Sequence, residues 1–158
     1  MSLADYLPGA LFFFDCKSAA DRQQLTKAQN ASYGQLFPVG QEACLRHVWC
    51  VISDKRVMKD GLVVAVPTTS NPIHYSQWDQ EVTVGQVNYN HLKHKGLKKV
   101  GFTAQCQRPR HFSADRFNGE NPEIVLVGHV DEEIAYALAF LATKALGTPT
   151  PRPNRRKR

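Results

Sequence analysis

A chain of 158 residues and 17.7 kDa, 42% hydrophobic and 22% charged, has the length and balance of one globular domain with a core of its own, not of a disordered chain or stapled peptide. No apolar run reaches the ~18 residues that a membrane-crossing helix needs, and the start lacks a basic segment and a small-residue cleavage site, so the expected address is cytoplasmic, with no membrane partner. The formal charge of +6 is mostly a tail: Arg152, Arg155, Arg156, Lys157 and Arg158 add five positive charges and no acid, leaving 15 basic against 14 acidic residues elsewhere.

In chain order, the first predicted strand is residues 10–16, ALFFFDC, entered through a Pro8-Gly9 turn. Residues 17–41 are polar with scattered apolar positions and read as a long loop with a helical turn near 20–28, a length usually reserved for a functional flap. Two apolar, β-branched strands follow at 47–53 and 62–67, joined by a short charged loop. Their near-continuous apolar character predicts that both are central. The second runs into Pro67-Thr68-Thr69-Ser70, hydroxyls that suit either a turn or a phosphate contact. Residues 71–80 read as a loop, with Trp78 as a surface aromatic able to stack on a base. Residues 81–90 alternate weakly, and 100–106 make a better strand. Pro109, between Arg108 and Arg110, belongs at a sheet edge or strand end. A short strand at 124–127 is expected to end at Gly128. The clearest helix is 132–146, capped by Asp131, with Glu132 and Glu133 in its first turn, Gly147 and Pro149 after it, and an apolar stripe of Ile134, Leu138, Leu141 and Ala145. The fold class is mainly β with a C-terminal helix: one domain over residues 1–147 and a disordered basic Pro/Arg tail over 148–158.

Chemistry-bearing residues concentrate in two places. Arg46 and His47 lead into one central strand, and Thr69 and Ser70 leave the next. Residues 82–114 hold Lys93, Lys95, Lys98, Lys99, Arg108 and Arg110 with His91, His94 and His111, and no acid, which predicts an anion-binding face. Cys16, Cys44, Cys50 and Cys106 lack CxxC spacing and read as reduced structural thiols, and His91 and His94 lack a third ligand, so neither metal nor cofactor is expected.

Four segments in this order resemble the MazF/PemK toxins of type II toxin-antitoxin systems, in the superfamily that includes CcdB. They are PGALFFFDC at 8–16, RHVWCVIS at 46–53, LVVAVPTTS at 62–70 and VGHVDEEIAYALAFLATKAL at 127–146. The resemblance implies a small SH3-like (CcdB/PemK-type) β-barrel, a homodimer, an acidic antitoxin partner, and metal-independent endoribonuclease cleavage of single-stranded RNA. It puts Arg46 or His47 at the proton-transfer or charge-stabilising position, Thr69 at the catalytic threonine, and Ser70 beside it. It also implies RNA contacts from the basic face and Trp78. One departure bears on catalysis: where PemK-like members carry an Arg and an Asp, two apart, this chain has Gln105 and Gln107. Glutamine moves no proton. Catalysis then rests on Arg46, His47 and Thr69, or Arg108 and His111 have taken it over, or the chain is a non-catalytic module that binds nucleic acid or protein, including a CcdB-like topoisomerase poison.

Overall fold

The computed structural model describes residues 5–14, 47–70, 77–89, 100–117 and 124–147, with residue 47 described by its backbone alone. The expected loop at 17–41, Arg46, the lysines at 93, 95, 98 and 99, and the tail at 148–158 lie outside these residues.

Gly9 opens the fold in the left-handed region, at φ 91°, where a side chain would be strained. The chain then enters β1 (Ala10–Phe14), all five residues of which are buried. A strand buried on both faces needs no polar alternation, which is why this segment reads as an unbroken apolar run. β2 (His47–Val51) pairs antiparallel with β1, and β3 (Leu62–Thr69) pairs with β2, so both predicted central strands are central. The charged loop expected between them is a one-turn helix, α1 (Lys55–Lys59). Asp54 caps it by accepting from the Arg56 backbone N–H at 2.8 Å, and Met58 buries its inner side.

β3 runs through Thr69, two residues past the expected end at Pro67, so Thr68 and Thr69 lie within the strand. A proline inside a central strand removes a ladder donor and needs a break opposite it. The break is present. β3 pairs with β7 (Arg110–Ser113) over Leu62 to Ala65 and with β6 (Phe102–Gln105) at Thr68 and Thr69, and Cys106 to Pro109 bulge out between them. Pro109 therefore sits at a strand end, as its lack of an N–H requires.

β4 (Asp79–Val82) pairs with β6, and β5 (Val87–Tyr89) with β8 (Ile124–Val130). The weakly alternating segment 81–90 is thus two short strands separated by a 3-10 turn, Val84–Gln86. The strand expected at 124–127 continues through Gly128 to Val130. Glycine is required there because a Cβ would lie 2.5 Å from the Asn88 carbonyl oxygen on β5.

The strand order β4-β6-β3-β2-β1-β8-β5, with β7 beside β3, puts β4 and β5 at opposite edges of one sheet. Laid flat, those edges would be about 29 Å apart at roughly 4.8 Å per strand. The chain between Val82 and Val87 can span only ~18 Å. The sheet must curl, and the Tyr89 hydroxyl donating to the Val100 carbonyl ties β5 back towards β6. The architecture is a curled, mostly β sheet with one C-terminal helix, α2 (Glu132–Ala145), compatible with a small barrel.

Two apolar clusters hold the fold, one on each face. The first is aromatic: Tyr6, Phe12, Phe14, Trp49, Phe112 and Phe117 pack with Val51, Val63 and Ala65, mostly edge to face. The second joins Leu11, Phe13, Cys50, Val66, Phe102 and Ala104 to Ala135, Leu138 and Ala142 of α2. The buried stripe of the helix is therefore shifted from the expected one, with Ile134 and Leu141 at its margins and Ala145 half-buried. The small Ala135 is the reason: a Cβ on Gly9 would lie 3.1 Å from it, so α2 approaches the Gly9 turn more closely than a larger side chain allows. Asp131 occupies the N-cap position without a side-chain capping bond, and Gly147 stops the helix at φ 79°. No helix among the described residues is long and apolar enough to cross a membrane.

Cys50 and Cys106 are free and buried in the second cluster. Burial pushes the Cys106 thiol up to about 12, with a smaller push from the Asp79 charge, and burial followed by Cys106 pushes Cys50 further still. Thiolate is the reactive form. We therefore expect peptide mapping to find Cys50 and Cys106 unmodified after iodoacetamide treatment of the native protein at pH 8, and modified once denaturant is added. Because both folded values are raised, the stabilisation from keeping these thiols neutral is complete below about pH 9 and is lost as the pH climbs past it. Labelling of either cysteine in the native state at the denatured rate would contradict this burial.

Candidate functional site

Directly opposed residues of an antiparallel ladder share a face, and every second residue along a strand returns to it. Thr69 opposes Thr103 on β6, Thr103 opposes Glu81 on β4, and Gln105 opposes Asp79. Thr69, Thr103, Gln105, Asp79 and Glu81 therefore occupy one face. Trp49 opposes Pro67 and Arg110 opposes Ala65, so both belong to that face as well. This is the aromatic face, and across β3, β6 and β4 it turns polar.

Its depth is graded. Thr103 and Gln105 are 2% and 4% exposed, Thr69, Asp79, Gln107, Arg108 and Arg110 are half-buried, and Glu81 is exposed. The Gln107 Oε1 is buried without a hydrogen-bond partner among the described residues. Buried amides and hydroxyls beside partly accessible carboxylates and guanidinium groups make a polar floor with charged walls. Such a surface suits a ligand with both hydroxyl and anionic groups.

The hydroxyl run divides by role. Thr68 is 4% exposed, and its Oγ1 donates to the Val48 carbonyl at 2.9 Å, joining β3 to β2 beyond the Trp49–Pro67 pair. Thr69 has the opposite facing and remains half-buried on the polar face. Ser70 is exposed just past the strand end. Continuing the β2–β3 register two residues beyond Trp49 sets the His47 backbone beside Thr69. Arg46, the preceding residue, lies outside the described residues.

The second predicted group is split by the same alternation. Arg110 shares the face of Thr69, whereas His111, opposing Val64, is exposed on the other face. Arg108 lies in the turn between β6 and β7, where its backbone N–H donates to the Gln105 carbonyl at 3.1 Å. Trp78 is half-buried and directly precedes Asp79, not a fully exposed loop aromatic. Lys93, Lys95, Lys98 and Lys99 lie outside the described residues.

No protein-family model and no curated protein matches the chain.

Asp79, Glu81 and Thr103 carry little local signal, since residues 71–80 read as a loop and the weakly alternating segment begins at Glu81. A signal was present in the tetrapeptide DQEV. Asp79 and Glu81 fall on one phase of a period-2 pattern while Val82 falls on the other, as in an edge strand with one wet face. Among the described residues no three His, Cys, Asp or Glu side chains are grouped to hold a metal ion.

Proposed function

We propose that this chain is a metal-independent endoribonuclease toxin of the MazF/PemK type, built on an SH3-like barrel and acting on single-stranded RNA. The observation that carries the reading is the shared face of Thr69 and Arg110 on adjacent strands β3 and β7. Attack of a ribose 2′-hydroxyl on its own phosphodiester needs a proton acceptor, a donor to the charged phosphorus centre, and a proton for the leaving oxygen. Thr69 offers a hydroxyl hydrogen bond to a phosphoryl oxygen. Arg110, and Arg46 ahead of β2, offer a guanidinium fork that matches two phosphoryl oxygens. The curled sheet and C-terminal helix agree with the fold that the four sequence segments imply. The acid-free stretch from Val82 to Ala114 further supports an acidic antitoxin as partner, since an unopposed positive segment attracts an acidic peptide.

Incubating the purified protein with a mixed-sequence single-stranded RNA in EDTA tests the reading. Cleavage leaving 2′,3′-cyclic phosphate and 5′-hydroxyl ends is expected. RNA binding without any cleavage would replace the nuclease with a binding module on the same fold.

A further inference from the structure

We propose, resting on the ribonuclease reading, that Asp79 is the proton acceptor for the attacking 2′-hydroxyl, supplied from β4 because the neighbouring strand β6 carries glutamine. Gln105 cannot exchange a proton, but its ladder partner is Asp79, and opposed side chains leave a sheet on one face about 5 Å apart. The carboxylate is displaced by one strand from the position where the sequence lacks it. Thr69 lies on the same face, two strand spacings of about 4.8 Å across and one i,i+2 step of roughly 6.7 Å along, so its Cα is ~12 Å from that of Asp79. The interval between the two side chains is of the size that one phosphate and the ribose bearing the attacking hydroxyl span, and the buried Thr103 and Gln105 lie between them in the ladder.

Asp79 is half-buried, with its Oδ1 shut away from solvent, so the substrate would meet the other carboxylate oxygen, while the charge still acts on the buried Cys106 thiol. In the step, the Asp79 carboxylate takes the proton of the 2′-hydroxyl. The 2′ oxygen forms its bond to phosphorus as the bond from phosphorus to the 5′ oxygen breaks, and the leaving oxygen takes a proton from water. The protonated Asp79 then returns its proton to solvent. Electron pairs move from oxygen to phosphorus and from the P–O bond to the leaving oxygen, with no oxidant or metal involved.

The test compares the full-length protein with Asp79→Asn and Asp79→Glu on the same RNA in EDTA. Binding is measured separately on an RNA carrying 2′-deoxyribose at the cleaved position. Asp79→Asn is expected to lose about 10²–10⁴-fold in kcat, the usual range for a positioned base, with deoxy-RNA affinity within about threefold. Asp79→Glu, which keeps the carboxylate, should recover at least tenfold over Asp79→Asn. Asp79→Asn cleaving within about threefold of the parent overturns the assignment, as does equal activity of the two variants when both melt like the parent. Should Asp79→Asn fail to fold, Asp79→Glu decides: activity within tenfold of the parent upholds the carboxylate's role, and a folded but inactive protein overturns it. Failure of the unsubstituted protein to cleave any RNA would remove the ribonuclease reading itself, an outcome distinct from the failure of Asp79 alone.

Discussion

Phe112→Ala is expected to cost about 3–5 kcal/mol of folding stability, the range for deleting a buried aromatic side chain. Phe112 is 3% exposed and stands at the centre of the aromatic face. Its ring lies 5.3 Å from Phe12 and 5.1 Å from Trp49, both nearly edge to face, with Phe14 at 5.9 Å and Phe117 at 6.2 Å. Contacts of this kind add ~0.5–1.5 kcal/mol each beyond area burial. Its strand, β7, has four residues and is anchored through β3, so little backbone can collapse into the space left behind. A domain stable by some 5–15 kcal/mol would lose a large share of its margin. Urea unfolding should show a lower midpoint at unchanged slope, and Phe112→Leu, which keeps most of the volume, should lose less than half as much. A Phe112→Ala protein within about 1 kcal/mol of the parent would mean that this ring does not hold the core.

The strands were legible wherever burial on both faces left an apolar run. Residues 10–14, 47–51 and 62–66 advertise themselves through Phe, Val and Trp, and their central positions follow from the lack of polar alternation. Gly9 and Gly147 were legible as turn and stop because positive φ is costly for other residues. Elements that depend on partners elsewhere were harder to read. β4 is mostly polar, and β6 gives it a ladder to join. Residues 54–59 resemble a charged loop until Asp54 is read as a cap, and β8 crosses Gly128 because β5 passes too close there for a Cβ. The candidate site divides in the same way. Thr69 and Arg110 could be found from motif and charge, since a hydroxyl at a strand end and an arginine beside a proline are local signals. Asp79 has only the period-2 hint of DQEV, because its meaning depends on a register with Gln105, 26 residues further along the chain. Nor could sequence separate Thr68 from Thr69, which alternation commits to a structural bond and to the polar face respectively.

On the proposed ribonuclease reading, that division leads to the largest expected effect on activity after Asp79, at Thr69. Thr69→Val removes the hydroxyl but keeps the β-branched shape that suits a strand. Loss of one positioned hydrogen-bond donor to a developing oxyanion typically costs 10²–10³-fold in kcat, about 2.7–4 kcal/mol, so a cleavage rate lower by that factor is expected. Because the substitution keeps the β-branched shape at a half-buried strand end, the variant should remain folded at the assay temperature, which its melting curve checks. Thr69→Ser, which restores the donor, should recover most of the rate. The split between kcat and KM identifies the role: a fall in kcat with KM unchanged means that the bond forms in the transition state, whereas a rise in KM alone means uniform binding of RNA. Thr68→Val should behave in the opposite way, losing about 1 kcal/mol of stability through an orphaned, part-buried carbonyl and changing activity only through the loosened strands. If Thr69→Val cleaves at the parental rate while Thr68→Val does not, the hydroxyl assigned to the phosphate is the wrong one, and the active face is the opposite side of β3.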